Sequence, residues 1–183
     1  MTRPGCFGDS SLAAPKRILG IDPGSRKAGF GIIESGQYHP VYVLSGVIRV
    51  EKFSGAERLK HIFESITQII DQYQPDVMAI EKVFVYKNPS SAIKLGQARG
   101  VILCAAALKD IPILEYTPTQ IKSTIVGQGH ASKDQVQFMV KNLLKLTESP
   151  QEDAADALAA ALCHDRYWTL GIDPEKISKG SRF

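Results

Sequence analysis

Val77-Met78-Ala79-Ile80 is apolar without a break. A strand with one wet face alternates apolar and polar residues, so an unbroken short run marks a strand covered on both faces. That run commits the chain to a layered α/β architecture, with helices above and below a sheet. It is then interrupted by Glu81, an acid where the pattern asks for a core residue. A second apolar run, Arg17 to Ile21, meets Asp22 in the same way, and Pro23-Gly24-Ser25 turns the chain.

The remaining segments supply the layers. Ala28–Glu34 and Val41–Val50 read as strands and complete an antiparallel meander with the first run. Glu57–Tyr73 reads as a helix, with Leu59, Ile62, Phe63, Ile66, Ile69, Ile70 and Tyr73 on one face. A strand over Val77–Phe84, a small-residue helix over Pro89–Leu108 and a strand over Ile111–Tyr116 follow. Helices are expected over Pro118–Val126, Lys133–Leu146 and Glu152–Trp168. The order βββαβαβααα predicts a mixed five-stranded sheet, three strands antiparallel and the rest parallel, with helices on its faces. Residues 1–16 lack periodicity and read as a flexible extension, 17–170 as one domain, and 171–183 as a flexible basic tail.

Net charge is only +3 over 183 residues, but it is unevenly placed. Lys87 to Lys141 carries seven basic residues against three acids, which suits a phosphate backbone as well as a solvated surface. The three cysteines are widely spaced, with neither zinc-ligand nor disulfide-framework spacing. A reducing cytoplasm fits that pattern, and Cys104 and Cys163 are expected in the core. No apolar run is long enough to span a membrane. His39, His61, His130 and His164 form no metal-ligand pair; His130, in a Gly-rich loop, reads equally as a DNA contact or a solvated side chain.

Burying an ionised carboxylate is costly unless it is paired or binds a metal. Asp22 and Glu81, on strands that can be neighbours, therefore stand out together. A third acidic stretch is Ser149-Pro150-Gln151-Glu152-Asp153-Ala154-Ala155-Asp156. Here Ser149 is a candidate N-cap, Pro150 suits the first helical position and Glu152 completes a capping box. That accounts for Glu152 but not for Asp156, which shares a helix face with Asp153 at i, i+3. Ala154, Ala155 and Ala157 would let this helix end approach the sheet and bring four carboxylates together. All-oxygen ligands favour a hard cation, Mg²⁺ or Mn²⁺. One or two such ions suit phosphodiester hydrolysis.

The stretches LGIDPGS, AIEKVFVYKN, LGQARGV and EDAADALAAAL, in this order between about Arg17 and His164, closely resemble the RuvC family of crossover (Holliday) junction endodeoxyribonucleases. The resemblance implies a ribonuclease-H-like fold and a homodimer. It implies magnesium-dependent paired nicking of four-way DNA that leaves ligatable 5′-phosphate and 3′-hydroxyl ends, in recombination and repair, beside a branch-migration helicase complex. It carries the catalytic and metal-binding acids onto Asp22, Glu81, Asp153 and Asp156. The family's functional lysines fall on Lys122 and Lys133, and its base-stacking aromatic on Phe84. The bland readings are exposed helix lysines and the last apolar residue of a strand. Gly96 and Gly100 weaken their helix, which either close packing on its own sheet or a dimer interface would justify; the resemblance points to the interface.

LGIDP recurs at Leu170–Pro174. There it follows a helix, with Gly171 placed as a C-terminal cap and no strand before Asp173, so Asp173 reads as a turn residue and Asp22 as the metal ligand. Three rival readings stand beside the nuclease. They are a sugar-kinase/actin-type nucleotide-binding enzyme, for which the chain is short, a non-catalytic junction binder, and an RNA-processing relative of the same fold.

Overall fold

The computed structural model describes residues 17–83 and 88–172. Five strands form one sheet: β1 (Arg17–Asp22), β2 (Lys27–Glu34), β3 (Val41–Arg49), β4 (Val77–Glu81) and β5 (Ile113–Tyr116). Five helices cover it: α1 (Gly55–Tyr73), α2 (Pro89–Ala107), α3 (Pro118–Val126), α4 (Lys133–Leu143) and α5 (Glu152–Thr169). The strand order is β3-β2-β1-β4-β5. β1, β2 and β3 pair antiparallel, and β1-β4 and β4-β5 pair parallel, as the order of elements predicts.

Side-chain alternation divides the core in two. Ile18, Val77 and Ala79 pack with α3, α4 and α5 on one face. Leu19, Ile21, Met78 and Ile80 pack with α1 and α2 on the other. The unbroken run at 77–80 is therefore covered on both sides, which is why it carries no polar residue. By the same alternation Asp22 and Glu81 belong to the α5 face.

α5 lies closer to the sheet than large side chains allow. A Cβ on Gly20 would strike the Ala157 carbonyl oxygen, and one on Gly29 the Asp153 carbonyl oxygen. Strand glycines and helix alanines together permit this approach. The C-terminus of α5 closes in a Schellman motif: Gly171 takes φ 64, its N–H reaches the Trp168 carbonyl at 3.0 Å, and that of Ile172 reaches Tyr167 at 2.9 Å. Gly171 is thus the cap expected from the duplicated pentapeptide, and Asp173 lies outside the described residues.

Several boundaries differ from the sequence expectation. β4 ends at Glu81, not Phe84, because its neighbours β1 and β5 end at Asp22 and Tyr116; one last bond runs from Lys82 N–H to the Tyr116 carbonyl at 2.8 Å. β5 starts at Ile113 rather than Ile111, whose N–H still bonds back to the Ala106 carbonyl at 3.1 Å. α4 stops at Leu143 rather than Leu146, because Lys145 turns left-handed at φ 52. α5 begins without the expected capping box: Gln151 is its N-cap and makes no side-chain cap bond. Pro150 stays outside the helix, its carbonyl accepting from Gln137 Nε2 at 2.5 Å. Cys163 is buried as expected, but Cys104 faces outward.

Candidate active site

The carboxyl ends of β1 and β4 lie side by side at the centre of the sheet, with Ile21 opposite Ile80 in the parallel ladder. Asp22 and Glu81 are the next residues on each strand, and they face the first two turns of α5. That helix is buried from Ala154 to Asp165 apart from Asp156. Asp153 and Asp156 are half-buried and open toward the strand ends. The four acids come from three separate segments of the chain.

Their electrostatics show how closely they are gathered. Burial pushes the Asp22 carboxyl up to about 8, and the charges of Glu81, Asp156 and Asp153 add to the rise. Glu81 is pushed up to about 7, again by burial first and then by Asp156. Burial also raises Asp156, with Glu152 and Asp153 adding to it. Desolvation and like charge act together here, the combination found where function requires acids to be crowded.

Two lysines oppose the crowding. Lys133, the first residue of α4, ion-pairs with Glu152 and lies 3.9 Å from an Asp156 carboxylate oxygen. Lys122 of α3 pulls the Glu81 and Asp156 carboxyls downward through its charge. Each lysine is set by a reciprocal cap at the start of its helix: Thr117 with Gln120 for α3, and Ser132 with Gln135 for α4. The Lys133–Glu152 pair joins residues 19 apart in the chain and has no local sequence signal. It gives Glu152 a partner in place of the expected capping box. Phe84 lies outside the described residues, and His130 is exposed.

Among the described residues, no three Asp, Glu, His or Cys side chains close into a metal-holding group by themselves. The donor chemistry nevertheless fits a hard divalent cation. Mg²⁺ is commonly held by one or two carboxylates, with water and substrate phosphate completing its shell, rather than by an all-protein cage. The mutual repulsion of the crowded acids, three of them desolvated, is what such an ion would relieve.

α2 carries a second feature. Among the described residues a Cβ on Gly96 or Gly100 would meet nothing within 4 Å, and both glycines are exposed. Packing on its own sheet, one of the two explanations for these residues, is therefore ruled out.

Comparison with known proteins agrees with this geometry. The family model for crossover junction endodeoxyribonuclease RuvC matches residues 18–164. The chain is 86% identical over 172 residues to the RuvC of Hydrogenovibrio crunogenus, a match covering 94% of this chain and all of that protein. A Shewanella RuvC is 54% identical over 80% of this chain and 85% of its own. Thermus thermophilus RuvC in complex with Holliday junction substrate superposes with TM-score 0.80 at 33% identity, covering 85% of this chain and 96% of that one. The yeast mitochondrial Holliday junction resolvase shares the fold, with TM-score 0.62 at 12% identity over 90% and 86% of the two chains. The mixed five-stranded sheet is thus the ribonuclease-H-like one, and the chain belongs to the RuvC family of crossover junction endodeoxyribonucleases.

Proposed function

We propose that Asp22, Glu81, Asp153 and Asp156 hold one or two Mg²⁺ ions, with Mn²⁺ as a substitute, and that the family's cleavage of four-way DNA junctions takes place there. One observation carries this: Asp22, Glu81 and Asp156, from β1, β4 and α5, are desolvated against one another, with half-buried Asp153 adding its charge and Lys122 and Lys133 beside them. When bound, the metal supplies Lewis-acid activation of water and charge stabilisation at the scissile phosphate.

The chain's own residues do the rest. Asp22 and Glu81 stand on paired central strands, so their separation is fixed by a hydrogen-bonded ladder rather than by a loop. Asp153 and Asp156 complete the set from a buried helix. Lys122 and Lys133 place positive charge next to the acids, where the phosphate accumulates negative charge as it is attacked. Phe84, three residues beyond Glu81, is assigned to stack on unpaired bases at the junction.

A second copy of the chain, docked through the α2 face at Gly96 and Gly100, would set two such sites about a two-fold axis. That symmetry suits paired nicks in strands of like polarity, leaving 5′-phosphate and 3′-hydroxyl ends. The exposed glycines support this interface, because none of the described residues occupies the space above them. A branch-migration helicase complex as partner and a cytoplasmic location belong to the same proposal. The two unbridged cysteines Cys104 and Cys163 support the location, and no helix of the described residues is long and apolar enough to cross a membrane.

The test is cleavage of a labelled four-way junction with Mg²⁺ and with EDTA, beside a linear duplex of the same sequence. Symmetric, ligatable, metal-dependent nicks in the junction are expected. Asp22→Asn should abolish them while leaving junction binding intact. Tight binding without cutting by the parent protein, on several junction sequences, would leave a binder and refute the catalytic assignment.

A further inference from the structure

The lysines beside the carboxylates lie on the α3 and α4 side of the site. A second group of cations lies on the other side, on β2 and β3. Arg26 and Lys27 lead into β2, Arg49 ends β3, and Lys52 sits in the turn beyond it. Only Glu51 interrupts the group with negative charge.

The backbone holds these residues together at the site. Lys27 is directly opposite Arg49 in the antiparallel ladder, and the Arg26 carbonyl accepts from Val50 N–H at 2.9 Å. Gly29, two residues on from Lys27, lies against the Asp153 carbonyl, so the start of β2 is pressed on the first turn of α5. Arg49 Nη2 donates to the side chain of Gln151, the N-cap of α5, at 2.9 Å. Lys27 is also near enough to Glu152 for its charge to be felt there.

This arrangement is unfavourable for the isolated protein. Like charges directly opposite each other destabilise an antiparallel pair. Lys27 finds one acid, Glu51, at 3.7 Å, with its own side chain 43% exposed. Arg49 is bonded to a neutral amide. Arg26 and Lys52 are exposed and make no ion pair with any described residue. The group therefore carries net positive charge beside the first turn of α5, where Asp153 lies. A nucleic-acid strand carries a phosphate about every 3.4 Å along the helix axis. A strand with one phosphate over the carboxylates must lay its next ones over the flanking residues.

We propose that Arg26, Lys27, Arg49 and Lys52 form a phosphate-binding rim that holds the DNA backbone beside the scissile phosphate on the β2–β3 side of the site. The inference rests on the carboxylate site being where DNA is cut. The rim fixes the lie of the strand and takes no part in the chemical step. Lys122 and Lys133 occupy one side of the acids and the rim the other, so the strand is gripped on both sides of the cut.

The test is the salt dependence of junction binding in EDTA, read as the slope of log Kd against log salt, together with KM and kcat in Mg²⁺. Each lost phosphate contact should reduce the slope by about 0.9. The Arg26→Gln/Arg49→Gln pair should reduce it by about 2 and raise KM several-fold with kcat unchanged. Arg26→Lys/Arg49→Lys should keep the parent slope. So should Lys109→Gln, whose lysine pairs with Asp71 at 2.6 Å toward the opposite end of the sheet. Lys52→Gln, in an exposed turn, covers the case in which the paired variant folds poorly; it should lower the slope by about 1. An unchanged slope and KM in these variants, with the parent binding and cutting normally, overturns the rim alone. A parent that neither binds nor cuts junctions removes the carboxylate reading and the rim with it.

Discussion

α5 and α2 lie on opposite faces of one sheet, and both are rich in alanine and other small residues. In α5 the small residues are used up within the protomer. They meet the strand glycines Gly20 and Gly29 so closely that no Cβ fits between, and the helix is open only at Asp153, Asp156 and its two ends. In α2, Ala98, Ile102, Ala105 and Ala106 face the core, while Gly96, Gly100 and Cys104 face outward. The same composition thus has two causes. One helix is small-sided to bring its acids to the strand ends, and the other has a small-sided face that none of the described residues covers.

Substituting the strand glycines should separate the two helices most strongly. Gly29→Val drives side-chain atoms into the Asp153 backbone, which cannot retreat without moving α5. Overpacking of this kind should cost about 3 kcal/mol, read as a lower denaturant midpoint, and abolish cleavage even where the protein still folds. A well-folded, active Gly29→Val protein would mean that α5 is not pressed on the sheet in solution.

A smaller effect, confined to the α5 face, is expected from pH. A carboxyl whose folded pKa is raised holds its proton more tightly in the folded state than in the unfolded one. Asp22, at about 8 against an ordinary 3.8, and Glu81, at about 7 against 4.5, are both of this kind. The metal-free protein should be steadied by these protons near pH 5 and should lose that contribution as pH rises through 7 to 8. The loss should be roughly 2 kcal/mol, allowing for the partial exposure of the site. Thermal melting across that range in EDTA reads it. Asp22→Asn should flatten the profile, and Mg²⁺ should restore stability at the alkaline end. A profile in EDTA that rises toward pH 8 would show that the acids are not crowded.

The smallest effect on folding is expected at α2. Gly96→Ala meets no atom, so it should stabilise the protomer by about 0.5–1 kcal/mol, the ordinary gain of replacing a helical glycine. Gly96→Leu should leave the protomer folded and shift sedimentation from dimer to monomer. An intact dimer in that variant would place the interface elsewhere.

The sequence made much of the α5 face legible because strong physical demands left marks there. An unbroken apolar run needs cover on both faces, and acids in buried positions need a reason to be there. Alanines beside Asp153 and Asp156 permit close packing, and those marks survive without knowledge of partners. Contacts between distant segments leave no such mark. Nothing local to Glu152 points to Lys133, and an S-x-x-E pattern reads as a capping box whether or not the chain uses it. The end of β4 is not legible in the sequence, because a strand stops where its neighbours stop and Val83 and Phe84 look as strand-like as the residues before them. The outward position of Cys104 is not legible either, because α2 is apolar with little periodicity and composition cannot tell its covered side from its bare one.

The distribution of the four acids over the chain also sets a clock. Asp22 leaves the ribosome early, Glu81 midway, and Asp153 and Asp156 only with α5. Domains fold as units once their segments are present, and neither the β1–β4 pair nor the strand meander can supply the α5 carboxylates. A chain interrupted anywhere before that helix carries at most half of the acids and lacks the helix packed directly over the β1 and β2 strand glycines. On the proposed assignment the cutting centre comes into being with the fold itself, and unfinished copies released near DNA are expected to be inert.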